Sequence, residues 1–165
     1  LVGSEMCIRD RNHGVIFSVD LPHRTDRTEV KSTHLNVHAS SVPNSYKTRL
    51  ISIIEDAKTA LPRLMSTHKT RIFIHDSLHT STHMLFEYAV ARAFMPQNSL
   101  IVSDDILWNT AFLKFCEIFH AKMYVSGSNP NYGFAVVNPC DSDLGIWGDE
   151  NVIEYVEETL KNSQI

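Results

Sequence analysis

Residues 71–105 read RIFIHDSLHTSTHMLFEYAVARAFMPQNSLIVSDD and hold the pattern that decides the fold. A short apolar run at 71–75 is followed by a polar turn. Apolar side chains then recur at helical spacing until Pro96, at positions Met84, Tyr88, Ala91 and Met95. A second apolar run follows at 100–103. The stretch therefore predicts a strand, a helix and a parallel strand, the repeating unit of an α/β sheet.

The same alternation continues on both sides of this stretch. Further strands are predicted at 15–19, 50–54, 123–125 and 134–137, and further helices at 58–66, 112–119 and 152–160. We expect a mostly parallel sheet covered by helices on both faces. The last two strands are joined by a link too short for a helical crossover, so they should be antiparallel neighbours. Residues 23–48 are polar and predict a long loop, with a short helix within it as an option.

Composition narrows the class of protein. The chain has 165 residues, enough for one domain, with 43% hydrophobic and 21% charged residues, as in ordinary globular proteins. A net charge of −4 does not favour binding to nucleic acid or to an anionic membrane. No apolar run approaches the ~18 residues of a membrane span. Three cysteines without a CxxC motif favour a reducing, cytoplasmic setting. This composition is compatible with a homo-oligomer.

Glycine is scarce and the N-terminus is unusual. The six glycines lie singly, which excludes both GxGxxG and a phosphate-binding loop. Residues 6–11, MCIRDR, resemble translated adapter sequence, so we predict that 1–11 is a non-native leader. The alternative is an ordinary disordered leader. This division leaves a partial domain over 12–140 and a C-terminal helix and tail over 141–165.

Carboxylates follow four of the predicted strands: Asp20, Asp56, Asp76 and the pair Asp104–Asp105. In open parallel sheets, ligands bind beyond the carboxyl ends of the strands. Each aspartate alone could equally be a loop residue or a helix N-cap. If the strands before Asp76 and Asp104 are adjacent, the oxygen atoms of these residues converge into a Mg²⁺ site.

Histidines accompany the same segment. His79 follows Asp76 by three residues and is a candidate general base for a substrate hydroxyl near the metal. A zinc site of His75, His79 and His83 is the alternative, since these are spaced by four. However, His75 belongs to a predicted strand, so the three do not share a helix face. We expect His83 to bond the backbone or face water.

Two strings carry a family resemblance: IHDSLHT at 74–80 and SDDILWNTAF at 103–112. They resemble one branch of the class I S-adenosylmethionine-dependent methyltransferases, which includes macrocin-type O-methyltransferases and cephalosporin hydroxylase-like proteins. Caffeoyl-CoA and catechol O-methyltransferases are more distant relatives. The resemblance covers about residues 14–137, and it implies the strand order 3-2-1-4-5-7-6.

The resemblance also implies residue roles. Asp20 would hold the ribose hydroxyls of S-adenosyl-L-methionine, Asp56 and Ala57 would border its adenine, and Asp76 would also line the cofactor site. The implied Mg²⁺ ligands are Asp76, Asp104 and Asp105, the implied general base is His79, and the residues near the mouth for a small-molecule substrate are Trp108 and Asn109.

The chain departs from the family pattern at two points. Nothing in the chain matches the first strand, its glycine-rich turn and its helix. In addition, residues 96–99 read PQNS where the family commonly has Pro-Gly-Gly, so Asn98 should adopt the positive φ of that turn. We therefore expect a Rossmann-like methyltransferase sheet, mostly parallel with one antiparallel strand, that lacks its first unit.

The implied function is methyl transfer to a small-molecule hydroxyl with help from Mg²⁺, in a fragment impaired in cofactor binding. One alternative is a non-catalytic, degenerate methyltransferase-like domain. Another is a metal-dependent hydrolase that uses the same carboxylates with His79. A dehydrogenase that holds the ribose of NAD through Asp20 shares the general architecture, but no residue points to hydride transfer.

Overall fold

The computed structural model describes residues 5–8, 14–21 and 44–137. Over these ranges the chain is an α/β structure, as expected. The strands are β1 (Glu5–Ile8), β2 (Ile16–Asp20), β3 (Leu50–Ile54), β4 (Ile72–His75), β5 (Ser99–Ser103), β6 (Lys122–Val125) and β7 (Gly133–Val137). The helices are α1 (Asn44–Lys47), α2 (Ala57–Thr67), α3 (Ser81–Phe94) and α4 (Ala111–Ile118).

The strands form one sheet in the order β3-β2-β1-β4-β5-β7-β6. The pairs β2–β3 and β4–β5 are parallel, which brings their carboxyl ends to one edge. β7 is antiparallel to both β5 and β6, so the expectation for the last two strands is confirmed. The order is the one that the resemblance implies, but the sheet is mixed and differs from the expectation at its centre.

The central strand β1 comes from residues 5–8, for which no strand was expected. It pairs antiparallel with β2 on one side and with β4 on the other. The expectation of a single antiparallel strand is therefore wrong, because β1 and β7 both run against the rest. The physical reason is the short connection: seven residues, 9–15, separate β1 from β2, whereas a parallel crossover needs about a dozen or more.

The three longer helices form one layer. α2 packs against α3 and α3 against α4, while α2 contacts β2, α3 contacts β4 and α4 contacts β6. The predicted stripe on α3, Met84, Tyr88, Ala91 and Met95, is buried in the core as expected. The loop 76–80 leads directly from the carboxyl end of β4 into α3, so the helix begins next to that end of the strand.

The other sheet face carries six half-buried apolar side chains: Ile72, Ile74, Leu100, Val102, Phe134 and Val136. Cover on both faces was expected. Over 44–137, α2, α3 and α4 cover only the face of Phe73 and Ile101. The helix expected at 152–160 lies outside the described residues, as does most of the loop expected at 23–48.

Two turns at the strand ends use left-handed backbone. Asn98 has φ 58°, which confirms its expected role before β5, and its N–H donates to the carbonyl of Val137 at 3.0 Å. Asp105 has φ 51°, which sequence analysis did not anticipate. Within the ranges that the structure describes, no helix has the length and apolar character needed to span a membrane.

Candidate active site at the carboxyl edge of the sheet

Asp76 and Asp104 come from neighbouring strands. β4 and β5 are in register with His75 opposite Ser103, so the next residues, Asp76 and Asp104, leave the sheet side by side. The N–H of Asp104 donates to the carbonyl of His75 at 3.0 Å, which extends the ladder past the strand ends. The expected adjacency of the strands that precede Asp76 and Asp104 is therefore confirmed.

The two carboxylates interact unfavourably. Partial burial, followed by the neighbouring charge of Asp104 and then that of Asp105, raises the pKa of Asp76, while His79 acts in the opposite direction. Asp104 is itself held in place, since its Oδ1 accepts a hydrogen bond from the N–H of Asp105 at 2.8 Å. Such crowding of acidic groups is relieved when a cation binds between them.

Asp105 faces His79. Its Oδ2 lies 3.8 Å from Nε2 of His79, within ion-pair distance but too long for a hydrogen bond. The Nε2 atom is buried and has no hydrogen-bond partner among the described residues. A ring nitrogen in this state can accept a proton from a substrate, and the adjacent carboxylate then attracts the imidazolium that forms.

Two carboxylates of the site, those of Asp76 and Asp104, suit a bound Mg²⁺. Over the described ranges, no three or more His, Cys, Asp and Glu side chains come close enough together to hold a metal ion. Mg²⁺, however, usually takes one or two carboxylates and fills its remaining positions with water or substrate. Asp76 and Asp104 offer the hard oxygen atoms that Mg²⁺ requires, whereas Asp105, the third expected ligand, lies beside His79.

Asn109 joins the two loops of the site. Its side-chain N–H₂ donates to the carbonyl of His79 at 3.1 Å and contacts the sulfur of Met84 at 3.2 Å. Its carbonyl oxygen accepts from the N–H of Ala111 at 2.8 Å, at the start of α4. Sequence analysis placed Asn109 at the substrate mouth; in the structure it holds the His79 loop against the loop after β5.

Apolar side chains border His79 on the solvent side. Trp108 is 71% exposed, and its ring centroid lies 5.6 Å from that of His79. Leu107 and Leu78, the sequence neighbours of Trp108 and His79, are also more than half exposed. Trp108 was expected near the substrate mouth, and the structure places it on the surface beside His79.

The residues expected to hold the cofactor lie at the ends of β2 and β3. Asp20 is buried, and its Oδ1 accepts from the N–H of Leu21 at 2.9 Å. Asp56 is exposed and is the N-cap of α2, where its Oδ1 accepts from the N–H of Lys58 at 2.8 Å. Ala57 is buried as the first residue of that helix. β1 separates β2 from β4 and therefore separates these residues from Asp76.

Sequence analysis missed a buried polar cluster beneath the site. Glu87, on α3, is fully buried; its Oε2 accepts from the hydroxyl of Ser77 at 2.8 Å and lies 3.2 Å from Nε2 of His75. The Nε2 atom of His83 contacts the other carboxylate oxygen. His83 lies in the first turn of α3, as expected, and its contact with Glu87, one helical turn further along, was not anticipated.

His75 is held neutral in this cluster. Burial, and then the nearby His79 and His83, lower the pKa of His75 to about 3. Its ring lies edge-on to that of His79, with centroids 5.5 Å apart. The zinc site considered for His75, His79 and His83 is not assembled, since His83 contacts Glu87 and no metal-binding group occurs in the described ranges.

One signal could have identified the buried cluster from sequence. Glu87 is the single charged residue within LFEYAVA at 85–91, a run whose other members are apolar or aromatic. A carboxylate at a buried helix position needs polar partners, and His83 at i−4 is the nearest candidate. Ser77 gave no comparable signal, because a serine after a strand is an ordinary turn residue.

Comparison with known proteins gave no match: no protein-family model, curated protein or solved structure is similar to this chain.

Proposed function

We propose that this chain is part of an S-adenosylmethionine-dependent methyltransferase of Rossmann-like architecture, and that Mg²⁺ assists methyl transfer to the hydroxyl of a small molecule. The observation that carries the proposal is the juxtaposition of Asp76 and Asp104 at the ends of adjacent strands, with His79 close by. The strings IHDSLHT and SDDILWNTAF, which supply these residues, support it.

His79 is the general base in this proposal. Its Nε2 takes the proton of the acceptor hydroxyl, and Asp105 stabilises the resulting imidazolium across 3.8 Å. Asp76 and Asp104 would hold Mg²⁺, which lowers the pKa of a bound hydroxyl. Nearly all of the rate enhancement that these residues supply then comes from position and charge.

The entrance favours an acceptor with an apolar surface. Trp108 lies beside His79, and Leu78 and Leu107, their neighbours in the sequence, are exposed, while Asp105 next to His79 is acidic. Asp105, which lies outside the proposed Mg²⁺ site, would repel a negatively charged acceptor, and an apolar one would cover the exposed side chains. We therefore propose a neutral, largely apolar or aromatic alcohol or phenol.

The ends of β1 and β2 meet only part of what binding of S-adenosylmethionine requires. Asp20 places a buried carboxylate at the end of β2, where ribose hydroxyls could bind it. β1 runs antiparallel, so its last residue, Ile8, lies at the edge opposite to Asp20 and Asp76. The carboxyl end of β1 therefore lies away from Asp20 and Asp76, and we propose that affinity for the cofactor is weak.

Titration with S-adenosylhomocysteine, followed by amide chemical shifts, tests the cofactor assignment. We expect weak but saturable shifts at the ends of β2 and β4, near Asp20 and Asp76. Asp20→Asn, which keeps the shape and removes the charge, should abolish them, whereas Glu117→Gln on the exposed side of α4 should not. Absence of saturable shifts in the wild type would contradict the proposal, and tight binding would contradict the impaired affinity.

A further inference from the structure

The carboxylate of Glu87 contacts residues on both sides of the loop that carries Asp76 and His79. Ser77, within the loop, donates a hydrogen bond to Oε2 at 2.8 Å. His75, at the end of β4, lies 3.2 Å from the same oxygen, and His83, in the first turn of α3, contacts Oε1. One side chain therefore joins the strand, the loop and the helix.

Core packing alone does not explain a glutamate at this position. Glu87 is fully buried, as are Leu85, Phe86, Tyr88 and Ala89 around it on α3. An apolar side chain of similar volume would fill the space without the cost of removing a carboxylate from water. What the carboxylate adds is direction, because hydrogen bonds fix the orientation of their partners and apolar contacts do not.

The orientation that it fixes is that of the loop 76–80. Ser77 lies between Asp76 and His79, so anchoring its hydroxyl restricts the backbone from which both side chains extend. On the opposite side, Asn109 donates to the carbonyl of His79 at 3.1 Å. The loop is thus held at Ser77 from beneath and at His79 from the side, which places the His79 ring against Trp108.

We propose that Glu87 is a positioning residue of this site: through Ser77, His75 and His83 it holds the loop 76–80 so that His79 faces Asp105 and Trp108. The value of this for catalysis rests on the proposed function. The placement of the loop itself does not, and it can be measured without substrate, metal or cofactor.

The test is the magnetisation transfer between the ring protons of His79 and Trp108, measured by NMR in the full chain. Glu87→Gln keeps the volume and removes the charge, and Ser77→Ala removes the link to the loop. Val90→Ala, also buried on α3 but away from the loop, is the matched control for destabilisation. We expect the cross-peak to be lost in Glu87→Gln and Ser77→Ala and kept in Val90→Ala.

The opposite pattern overturns the inference. If the cross-peak survives in Ser77→Ala and Glu87→Gln while the melting temperature falls, Glu87 serves stability only. If Glu87→Gln does not fold, the comparison of Ser77→Ala with Val90→Ala decides alone. Loss of the cross-peak in Val90→Ala would equally contradict a local role.

Mn²⁺ affinity of the same variants separates this inference from the proposed function. If both hold, Glu87→Gln weakens Mn²⁺ binding by up to about tenfold, the low end for residues behind metal ligands, because Glu87 acts on Asp76 only through Ser77. A wild type that binds no Mn²⁺ contradicts the proposed function, while the cross-peak still decides the role of Glu87.

Discussion

The Nε2 atom of His79 lies 3.8 Å from Oδ2 of Asp105 and makes no hydrogen bond to any described residue. Asp105 reaches this position from a left-handed backbone conformation at φ 51°, which turns the chain immediately after Asp104. The two consecutive aspartates therefore have different neighbours: Asp104 lies beside Asp76, and Asp105 lies beside His79.

Asn109→Ala should destabilise the protein and loosen the His79 loop. It removes the bond to the carbonyl of His79 and the bond from the N–H of Ala111, together worth about 1–2 kcal/mol. Urea unfolding gives the free energy of unfolding. Thr110→Ala is the matched control, since Thr110 makes no capping side-chain bond, and an equal loss in both variants would argue against the proposed link.

Gly133→Ala should be strongly unfavourable although Gly133 has an ordinary φ. An added Cβ would overlap Cε1 of Phe112 and lie 3.0 Å from Cγ2 of Ile106, behind the loop that carries Asp105. Overpacking of this kind costs about 1–3 kcal/mol. Gly127→Ala, where nothing lies within 4 Å, is the control and should leave thermal stability unchanged or slightly higher. Equal melting temperatures for the two variants would contradict this packing.

His75 should make the fold sensitive to acid. Its pKa is about 3 in the folded chain and near 6.5 when unfolded, so its contribution to stability is present above pH 6.5 and is lost as pH falls towards 3. Within that window the free energy of unfolding should fall by about 1.4 kcal/mol per pH unit from this group. Urea unfolding of His75→Asn between pH 6 and pH 4 should show a correspondingly smaller slope; an unchanged slope would mean that His75 takes up a proton when folded.

Asp76→Asn should stabilise the protein at neutral pH. Because the folded pKa of Asp76 is raised, its contribution to stability is fully present below the unfolded value of 3.8 and is lost as pH rises through the folded value. At pH 7 the ionised carboxylate is therefore unfavourable, by less than about 1 kcal/mol because Asp76 is exposed to solvent. Thermal unfolding at pH 7 and pH 4.5 should show a gain that shrinks on acidification. A lower melting temperature at pH 7 would mean that the carboxylate is favourable there.

The three longer helices and every strand except β1 could be predicted from the sequence because their sequence signals are local. The run at 72–75 and the stripe on α3 carry strong periodicity, and a strand–helix–strand unit makes β4 and β5 neighbours. The adjacency of Asp76 and Asp104 follows from that unit alone. Asn98 was predictable because few residues other than glycine accept a positive φ.

The rest depended on contacts between distant parts of the chain. Residues 5–8 carry no pattern that marks a central strand, and their antiparallel direction follows from the short link to β2. The separation of Asp104 from Asp105 follows from one backbone angle. The contact of His83 with Glu87 was not anticipated because the histidine was considered without the residue one helical turn later.

Titration with Mn²⁺, followed by water-proton relaxation, tests the central claim that Asp76 and Asp104 form a divalent-cation site. We predict one saturable site in the wild type, weakened about tenfold or more by Asp76→Asn or Asp104→Asn. Glu117→Gln, which removes an exposed acidic charge from α4, should leave the affinity unchanged. Absence of a saturable site in the wild type, or equal affinity in the Asp76 and Asp104 variants, would contradict the account.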